Sequence, residues 1–355
     1  MRLKLLFFIP GFYLMTNMAK SQNPNWETYV CYTTDRTLTI DGALDEEAWN
    51  KAPWTSPFVD IEGDLKPKPT YLTQAKMLWD EQYFYIAAKM FEPNIWATYD
   101  QRDAVIFHEN DFEVFIDPDG DTHQYYELEI NALGTIWDLL LVKPYRDGGP
   151  PINAWDIKGL KKGIQIKGTL NNPEDVDEYW TVELAIPWNV LKETTGRSPK
   201  DQDQWRVNFS RVNWKLDHKN GEYVKSINPK TGKPFPESNW VWSPQGVIAM
   251  HQPETWGFVQ FSSHTVGTKT VKFIPRQAES YKWILRQIYY AQHQFFKKNK
   301  TFTGNIEQLK VPPAILEFKS QISLHTTPTQ FEAIFTSPDG DTWHLLTDGR
   351  VRKNM

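Results

Sequence analysis

The stretch that decides the fold runs from residue 111 to residue 138 and reads DFEVFIDPDGDTHQYYELEINALGTIWD. Two runs of alternating apolar and polar residues flank a turn rich in Asp and Gly, which predicts a β-hairpin. Successive side chains of a strand point to opposite faces of a sheet, so the apolar residues of both runs can share one face. These residues are Phe112, Val114, Ile116, Tyr126, Leu128 and Ile130.

The opposite face of this hairpin is polar and acidic. It consists of Glu113, Glu127, Glu129 and Asn131. Like charges that face each other across neighbouring strands are unfavourable. A sheet that gathers carboxylates and an amide beside aromatic residues is therefore expected to hold something there, and a polyol or a cation is the natural candidate.

Short predicted strands separated by turns continue on both sides of the hairpin. Many short strands without a long helix predict a mainly β fold, namely a mostly antiparallel β-sandwich, which we assign to residues 22–263. The clearest of these strands cover residues 75–79, 83–88, 164–170, 179–187 and 205–214.

The pattern changes after about residue 276. Apolar residues recur at helical spacing over residues 279–298, where a lysine-rich end suits a helix C-terminus. Residues 331–335 and 343–346 then flank an Asp- and Gly-containing turn, which favours a hairpin. Residues 264–355 are accordingly predicted to form a small C-terminal α+β module.

The N-terminus is typical of an exported protein. Residues 1–4 include two basic side chains, residues 5–14 are mostly apolar, and Ala19-Lys20-Ser21 offers a small-x-small cleavage site. This pattern predicts a signal peptide over residues 1–21 and a periplasmic or extracellular mature protein. The apolar run is too short to cross a bilayer, and no later stretch approaches the roughly 20 apolar residues of a membrane helix.

Composition narrows the possible partners. The net charge is -5 with mixed signs, so neither a nucleic-acid-binding stripe nor a basic membrane patch is expected. The single cysteine, Cys31, has no partner for an internal disulfide. The chain contains 16 Trp and 15 Tyr, a wealth of aromatic residues that suits both a β-rich core and the stacking of sugar rings.

A sugar site needs flat apolar rings for the CH face and planar polar groups for the hydroxyls. By strand alternation Glu113, Glu129, Asn131 and Arg211 can converge on one face. Both core residues and possible platforms for a sugar ring are expected among Trp137, Trp155, Trp214, Trp240 and Trp242. The alternative is that Arg211 only neutralises carboxylates on a solvated sheet face. For any single tryptophan, packing in the core is the competing explanation.

The turn of the hairpin is a candidate calcium site. Asp117, Asp119 and Asp121 alternate around Gly120, and oxygen-rich loops of this kind suit calcium. The spacing does not complete an EF-hand, because residue 128 is Leu where that motif has Glu. A plain turn is the alternative, and it gains weight because the string PDGDT recurs at residues 338–342.

Six segments, taken in order, resemble family 9 carbohydrate-binding-module-like domains, which implies a β-sandwich over about residues 28–263. The resemblance also implies exported proteins that act near polysaccharide breakdown. The segments are residues 38–49 (LTIDGALDEEAW), 110–117 (NDFEVFID), 125–131 (YYELEIN), 180–187 (WTVELAIP), 205–211 (WRVNFSR) and 251–257 (HQPETWG).

The resemblance also suggests ligand positions. Sugar-binding members hold a sugar between aromatic rings, with carboxylate, amide and arginine groups on its hydroxyls, and they carry structural calcium. By motif, Glu113 and Asn131 match polar ligand positions, while Phe107 and Trp242 lie where aromatic walls are expected. The chain departs from the pattern at Glu129, where a sugar-binding relative can carry arginine.

Together these features predict non-catalytic binding of an oligosaccharide or polysaccharide by an exported protein linked to carbohydrate catabolism. Two alternatives stay open. A glycoside hydrolase would use Glu113 and Glu129 as cross-strand neighbours, since paired carboxylates about 5 Å apart suit retaining hydrolysis. A haem-binding sandwich would draw axial ligands from Met90, His108, Met250 and His251.

Overall fold

The computed structural model describes residues 24–354. The signal peptide predicted for residues 1–21 lies outside the described residues. Between residues 24 and 354, no helix is both long enough and apolar enough to cross a membrane.

Strands dominate residues 24–265, as the alternating patterns predicted. Only two α-helices interrupt them in the described part of this region, α1 (Glu47–Lys51) and α2 (Trp188–Thr195). The strands are β1 (Thr28–Thr33), β2 (Val59–Asp60), β3 (Thr73–Trp79), β4 (Tyr83–Phe91), β5 (Asp111–Asp117), β6 (Tyr125–Asn131), β7 (Ile136–Leu141), β8 (Pro151–Ile152), β9 (Lys161–Lys167), β10 (Tyr179–Pro187), β11 (Gln204–Asn213), β12 (Leu216–Lys219), β13 (Glu222–Lys225), β14 (Ser238–Val241) and β15 (Gly257–Thr265).

Most of these strands belong to one continuous sheet in the order β8-β7-β6-β5-β11-β15-β1-β3-β4-β10-β9, with β14 beside β11 and β2 beside β14. Its pairings are antiparallel except at β1, which runs parallel to β15 and to β3. The main core draws side chains from both halves of the sheet, for example Val114 and Phe209 from one half and Met77 and Val182 from the other. The two halves therefore face each other as the layers of a mainly β sandwich, which confirms the predicted fold class.

The predicted hairpin at residues 111–131 is confirmed. β5 and β6 pair antiparallel with Phe112 opposite Ile130 and Glu113 opposite Glu129. The six apolar side chains of this pair lie in the sandwich core, each no more than 2% exposed. Burial of that face fixes the register, because a slip by one residue would turn the apolar residues out and the carboxylates in.

The C-terminal part contains the predicted helix and hairpin. The long helix α3 (Gln277–Asn299) packs its apolar face on a four-stranded antiparallel sheet. That sheet and the short helix before it are α4 (Pro313–Leu316), β16 (Ile322–Thr326), β17 (Phe331–Thr336), β18 (Thr342–Leu346) and β19 (Val351–Lys353).

A buried ionic cluster joins α3 to the sandwich. Glu254, which is 7% exposed, lies 2.8 Å from Arg146 and 3.8 Å from Arg286 of α3. The hydroxyl of Tyr290, also on α3, donates a hydrogen bond to the same carboxylate. Burial by itself would raise the pKa of Glu254, but Arg146 and Arg286 outweigh it and lower that pKa to about 2.

Acid should weaken this junction. In the unfolded chain Glu254 takes up its proton near its ordinary pKa of about 4.3. In the folded chain it stays ionised down to about pH 2. Its contribution to the free energy of unfolding, on the order of 3 kcal/mol, is present above the unfolded pKa and is lost as the pH falls through that window. Chemical unfolding of the wild type and of Glu254→Gln between pH 6 and about pH 2 measures this, and we expect the gap between them to close. A gap that stays constant with pH would contradict the assignment.

Candidate functional site

Four buried carboxylates form one patch on the side of the hairpin that faces away from the sandwich core. Asp111 and Glu113 come from β5, and Glu127 and Glu129 come from β6. They alternate with the core residues, so strand geometry alone places them together. Their exposure lies between 0% and 5%. We call these four residues the carboxylate floor.

The floor is compact and has little internal charge compensation. One carboxylate oxygen from each of Asp111, Glu113 and Glu129 lies within 4.8 Å of the others. Among residues 24–354, the only ion-pair contact of the floor is a distance of 4.0 Å between Glu127 and His251. Burial, with Arg146 nearby, lowers the pKa of His251 to about 3, so this imidazole is neutral and does not balance the charge.

Burial and mutual repulsion shift every carboxyl of the floor in one direction. Burial raises the pKa of Glu113 to about 7, and Glu237 adds to the rise. Burial followed by the charge of Glu113 raises the pKa of Asp111, Glu127 and Glu129. A group of acids that resists ionisation in this way is characteristic of a site that receives hydroxyls, protons or a cation.

Aromatic side chains border the floor. Phe107 and Trp137 stack on each other with ring centroids 6.3 Å apart, and the backbone N–H of Phe107 donates to Glu129 at 2.9 Å. Trp137 is also the β7 partner of Glu129. Trp214 donates its indole N–H to the carbonyl of Phe107 at 3.0 Å. Phe107, Trp137 and Trp214 are all half-buried, which leaves part of each ring open to a ligand.

Tyr145 extends this border on the side of Glu127. Its ring packs edge-on against His251 with centroids 4.4 Å apart, and the residue is 44% exposed. Burial, and then the charges of Glu127 and Glu129, raise the pKa of the Tyr145 phenol. We call Phe107, Trp137, Tyr145 and Trp214 the aromatic border.

Arg211 does not join the floor, contrary to the sequence-based expectation. On β11 the residue opposite Glu113 is Ser210, so Arg211 projects to the other face of the sheet. There it is 0% exposed, lies 3.1 Å from Glu92 and donates to the carbonyl of Phe91 at 2.9 Å. The face of Arg211 depends on how β11 pairs with β5, which is a long-range feature.

Trp242 is a core residue. It is 1% exposed and packs against Phe209 with ring centroids 5.9 Å apart. A Cβ added at Gly257 would come within 2.8 Å of its ring, so the absence of a side chain at Gly257 makes room for the indole. No sugar reaches a ring enclosed in this way, and Trp242 is therefore left out of the candidate site.

Asn131 lies at the end of the floor, but its amide is already used. Its side-chain nitrogen donates to the carbonyl of Tyr99 at 2.8 Å, and its oxygen accepts from the N–H groups of Leu133 and Thr135 at 3.1 Å and 3.0 Å. The residue is 0% exposed. These contacts make Asn131 a support for the surrounding loops rather than a free ligand.

The carboxylates of the predicted calcium loop have partners within the chain. Asp117 accepts from the N–H groups of Gly120 and Thr122 at 3.0 Å and 2.9 Å. Asp121 pairs with Arg350 at 2.7 Å, close to the C-terminal sheet. The turn thus helps to anchor the C-terminal part, and its oxygens do not require a metal ion for their satisfaction. Calcium at Asp117, Asp119 and Asp121 stays a prediction.

Three of the four candidate haem ligands have contacts elsewhere in the chain. Met90 is 0% exposed in the sandwich core. The sulfur of Met250 accepts a hydrogen bond from Gln245 at 3.0 Å, and Nδ1 of His251 lies 3.0 Å from the hydroxyl of Tyr125. The fourth candidate, His108, is exposed and lies beside Phe107 with ring centroids 4.7 Å apart.

Two residues of the site, Asp111 and Tyr145, were not predicted from the sequence as ligands, and Trp214 was one of several tryptophans that could be either platform or core. Asp111 lies two positions before Glu113, so period two would have placed it on the same face. Tyr145 and Trp214 lie in segments that follow strands, and no local pattern shows where such segments fold. Only the pairing of distant strands brings them to the floor.

Comparison with known proteins identifies the family. The family model described as "Carbohydrate family 9 binding domain-like" matches residues 40–239, more than half of the chain. The chain belongs to this family. Exoglucanase XynX from Acetivibrio thermocellus is 30% identical to this family 9-like chain over 156 residues, which are 44% of this chain and 12% of that protein. The chain thus spans about an eighth of the length of that relative.

Several solved structures resemble this family 9-like chain at low sequence identity. A candidate carbohydrate-binding protein from Bacteroides uniformis has a TM-score of 0.48 and 16% identity, covering 67% of this chain and 100% of the other. A family 9 carbohydrate-binding module from Caldicellulosiruptor kristjanssonii, solved with cellotriose, has a TM-score of 0.42 and 13% identity over 69% of this chain and 100% of that one. The same module solved with glucose has a TM-score of 0.42 and 14% identity, again over 69% of this chain and 100% of that one.

Proposed function

We propose that this chain is an exported, non-catalytic protein linked to carbohydrate catabolism. It binds an oligosaccharide or polysaccharide between the aromatic border and the carboxylate floor. Membership of the carbohydrate family 9 binding domain-like family supports carbohydrate binding. The single observation that carries the location is the stacked pair of Phe107 and Trp137 directly beside Glu129.

The chemistry of the site suits a sugar ring. Half-buried aromatic faces accept the apolar CH side of the ring, and they do so at little cost in side-chain entropy. Carboxylates accept hydrogen bonds from hydroxyls, and such charge-assisted bonds are stronger than neutral ones. Glu113 and Glu129 lie opposite each other and can receive neighbouring hydroxyls of one ring.

The same pair of carboxylates favours one alternative, the hydrolysis of a glycosidic bond. Carboxyl oxygens of Glu113 and Glu129 lie within 4.8 Å of each other, near the spacing of about 5–5.5 Å in retaining glycosidases. Both side chains lie in the floor of the site, however, and neither is more than 5% exposed. A hydrolase needs its two carboxylates on either side of the scissile bond, so binding without turnover is the better fit.

Calorimetric titration of the mature chain identifies the ligand class. The panel should contain β- and α-linked glucans, xylans and host-type glycans, each with and without calcium. We expect saturable binding of at least one oligosaccharide and no release of nitrophenol from the matching nitrophenyl glycoside. Absence of binding across the whole panel would contradict the proposal. Turnover that is abolished by Glu113→Gln would replace it with the hydrolase.

The position of Trp242 gives a matched control. Trp242→Phe should lower the free energy of unfolding on the order of 1–2 kcal/mol, because it removes part of a fully enclosed ring. Carbohydrate affinity should not change, since this ring lies in the core. Denaturant unfolding and calorimetric titration of the same variant measure both quantities. A loss of affinity in a stably folded Trp242→Phe protein would place Trp242 back in the site.

Export and the link to catabolism have their own test. Fractionation of cells of the source organism should place the chain in the periplasm or outside the cell, with the mature N-terminus close to residue 22. Its abundance should rise during growth on the polysaccharide that it binds. Recovery in the cytoplasm with an intact N-terminus would overturn the export part without affecting the binding part.

A further inference from the structure

Three residues of the carboxylate floor meet at one point. Oxygens of Asp111, Glu113 and Glu129 lie within 4.8 Å of one another, and all three residues are no more than 5% exposed. Adjacent strands hold them rigidly, since β5 pairs with β6 on one side and with β11 on the other. Three like charges this close and this far from water repel each other strongly unless something neutralises them.

A second observation points to a missing partner. Oδ1 of Asp111 accepts a hydrogen bond from the N–H of Val212 at 3.2 Å, but the completely buried Oδ2 has no hydrogen-bond partner. Ser210, which lies opposite Glu113 on β11, is also buried, so its hydroxyl adds a further oxygen to this group. Buried polar atoms are nearly always satisfied by protein, water or an ion, so an orphaned carboxylate oxygen beside two further acids calls for a donor or a cation.

Two other triads of carboxylates on this chain show how such a charge is normally balanced. In the triad Asp103, Asp138 and Asp156, the guanidinium of Arg102 contacts Asp138 and lies 3.0 Å from Asp156. The triad at Asp117, Asp119 and Asp121 is paired with Arg350, and the ammonium of Lys282 donates to the carbonyl of Gly120 in the same turn.

The floor differs from both triads. Among residues 24–354, no Lys or Arg forms an ion pair with Asp111, Glu113 or Glu129, although both other triads hold a basic side chain. The carboxylate floor therefore offers a cation site that no Lys or Arg side chain among residues 24–354 occupies.

We propose that Asp111, Glu113 and Glu129 bind a calcium ion. Carboxylates are the preferred ligands of hard divalent cations, and calcium–oxygen distances are about 2.3–2.6 Å. Oxygens within 4.8 Å of one another fit on a sphere of that radius around a common point. Three carboxylates against a divalent ion leave a net charge of about −1, far less costly than three bare charges. The proposal concerns the protein without sugar and does not rest on the carbohydrate function.

Calcium fits this arrangement better than magnesium. Magnesium requires near-ideal octahedral geometry at about 2.0–2.1 Å and usually keeps several waters, whereas calcium accepts irregular sets of 6–8 oxygens. The floor offers carboxylates from two strands, with Ser210 and Glu127 adjoining, which is an irregular set. We therefore expect calcium to bind more tightly than magnesium.

The test is calorimetric titration of calcium chloride into the mature chain after treatment with a chelator, with thermal unfolding followed in parallel. Wild type should bind one calcium ion at this site and unfold at a higher temperature when calcium is present. Glu113→Gln should weaken this binding by more than about tenfold, since even a change outside the ligand shell costs that much. Asp119→Asn is the matched control, because it alters the other acidic loop, and it should leave the binding at this site unchanged.

The unfolding temperature provides a second test, because the effect of Glu113→Gln on it should change sign between chelator and calcium. In the presence of a chelator, Glu113→Gln should raise the unfolding temperature, because it relieves repulsion from Asp111 and Glu129. In the presence of calcium, the same variant should unfold below wild type. Glu129→Gln repeats both measurements if Glu113→Gln does not fold.

Two outcomes would overturn the proposal. One is the absence of heat and of any shift in unfolding temperature up to about 10 mM calcium, above the range of roughly 10⁻⁴–10⁻³ M for weak extracellular sites. The other is a calcium effect that persists in Glu113→Gln and in Glu129→Gln but disappears in Asp119→Asn. Neither outcome depends on sugar binding, so a failure here and a failure of the carbohydrate proposal can be told apart.

Discussion

Replacing Glu254 by alanine is expected to lower the free energy of unfolding by about 3–5 kcal/mol at neutral pH, as is typical when one partner of a buried ion pair is removed. The substitution leaves Arg146 and Arg286 facing each other without their shared carboxylate. It also deprives the hydroxyl of Tyr290 of its acceptor. This one side chain thus holds together the buried ionic cluster between α3 and the sandwich.

Chemical unfolding followed by circular dichroism measures this effect, and hydrogen exchange shows where it acts. Amides of α3 and of the C-terminal sheet should lose protection first. Glu307→Ala is the matched control, because Glu307 also forms an ion pair, with Lys319, but at side-chain exposures of 61% and 58%. Exposed pairs contribute at most about 1 kcal/mol. Equal losses in both variants would contradict the role assigned to Glu254.

Removing an aromatic ring of the border should abolish most of the carbohydrate affinity. Trp137→Ala and Phe107→Ala are each expected to cost about 2 kcal/mol or more of binding free energy, or roughly thirtyfold in Kd. The reason is that each ring loses its stacking on the sugar and, with it, the partner on which the other ring packs. The effects of the two substitutions should therefore not be additive.

Calorimetric titration with the strongest oligosaccharide measures these affinities, and circular dichroism checks that each variant is folded. Trp54→Ala is the control, since Trp54 is 39% exposed and lies beside β3 in the other half of the sheet. Its affinity should equal that of wild type. Undiminished binding by Trp137→Ala, or an equal loss in Trp54→Ala, would contradict the location of the site.

Local periodicity accounts for what could be predicted of the hairpin. Val114 and Glu113 lie on opposite faces because the side-chain period of a strand is two, and the apolar face of β5 and β6 leaves only one register that buries it. That is why the alternating pattern is enough to predict Glu113 and Glu129 as cross-strand neighbours. The same reasoning would have added Asp111 to the site.

Long-range pairing accounts for what could not be predicted. Arg211 belongs to a strand whose face depends on its partner, and the pairing of Ser210 with Glu113 turns the guanidinium away from the floor. Trp242 has the composition of a sugar platform, but whether a tryptophan faces solvent or core depends on neighbours such as Phe209 that are distant in sequence. Asn131 lies at the expected position, but its side-chain amide already donates a hydrogen bond to the carbonyl of Tyr99. Local sequence patterns do not show which of several possible neighbours a side chain contacts.

The central claim is that sugar binds over the carboxylate floor, and a crystal structure of the mature chain with its strongest oligosaccharide tests it most directly. We predict density for a sugar ring stacked on Trp137 or Phe107, with hydroxyls directed towards Glu113 and Glu129. A sugar bound anywhere else on the chain, with the floor and the aromatic border left free, would contradict the claim.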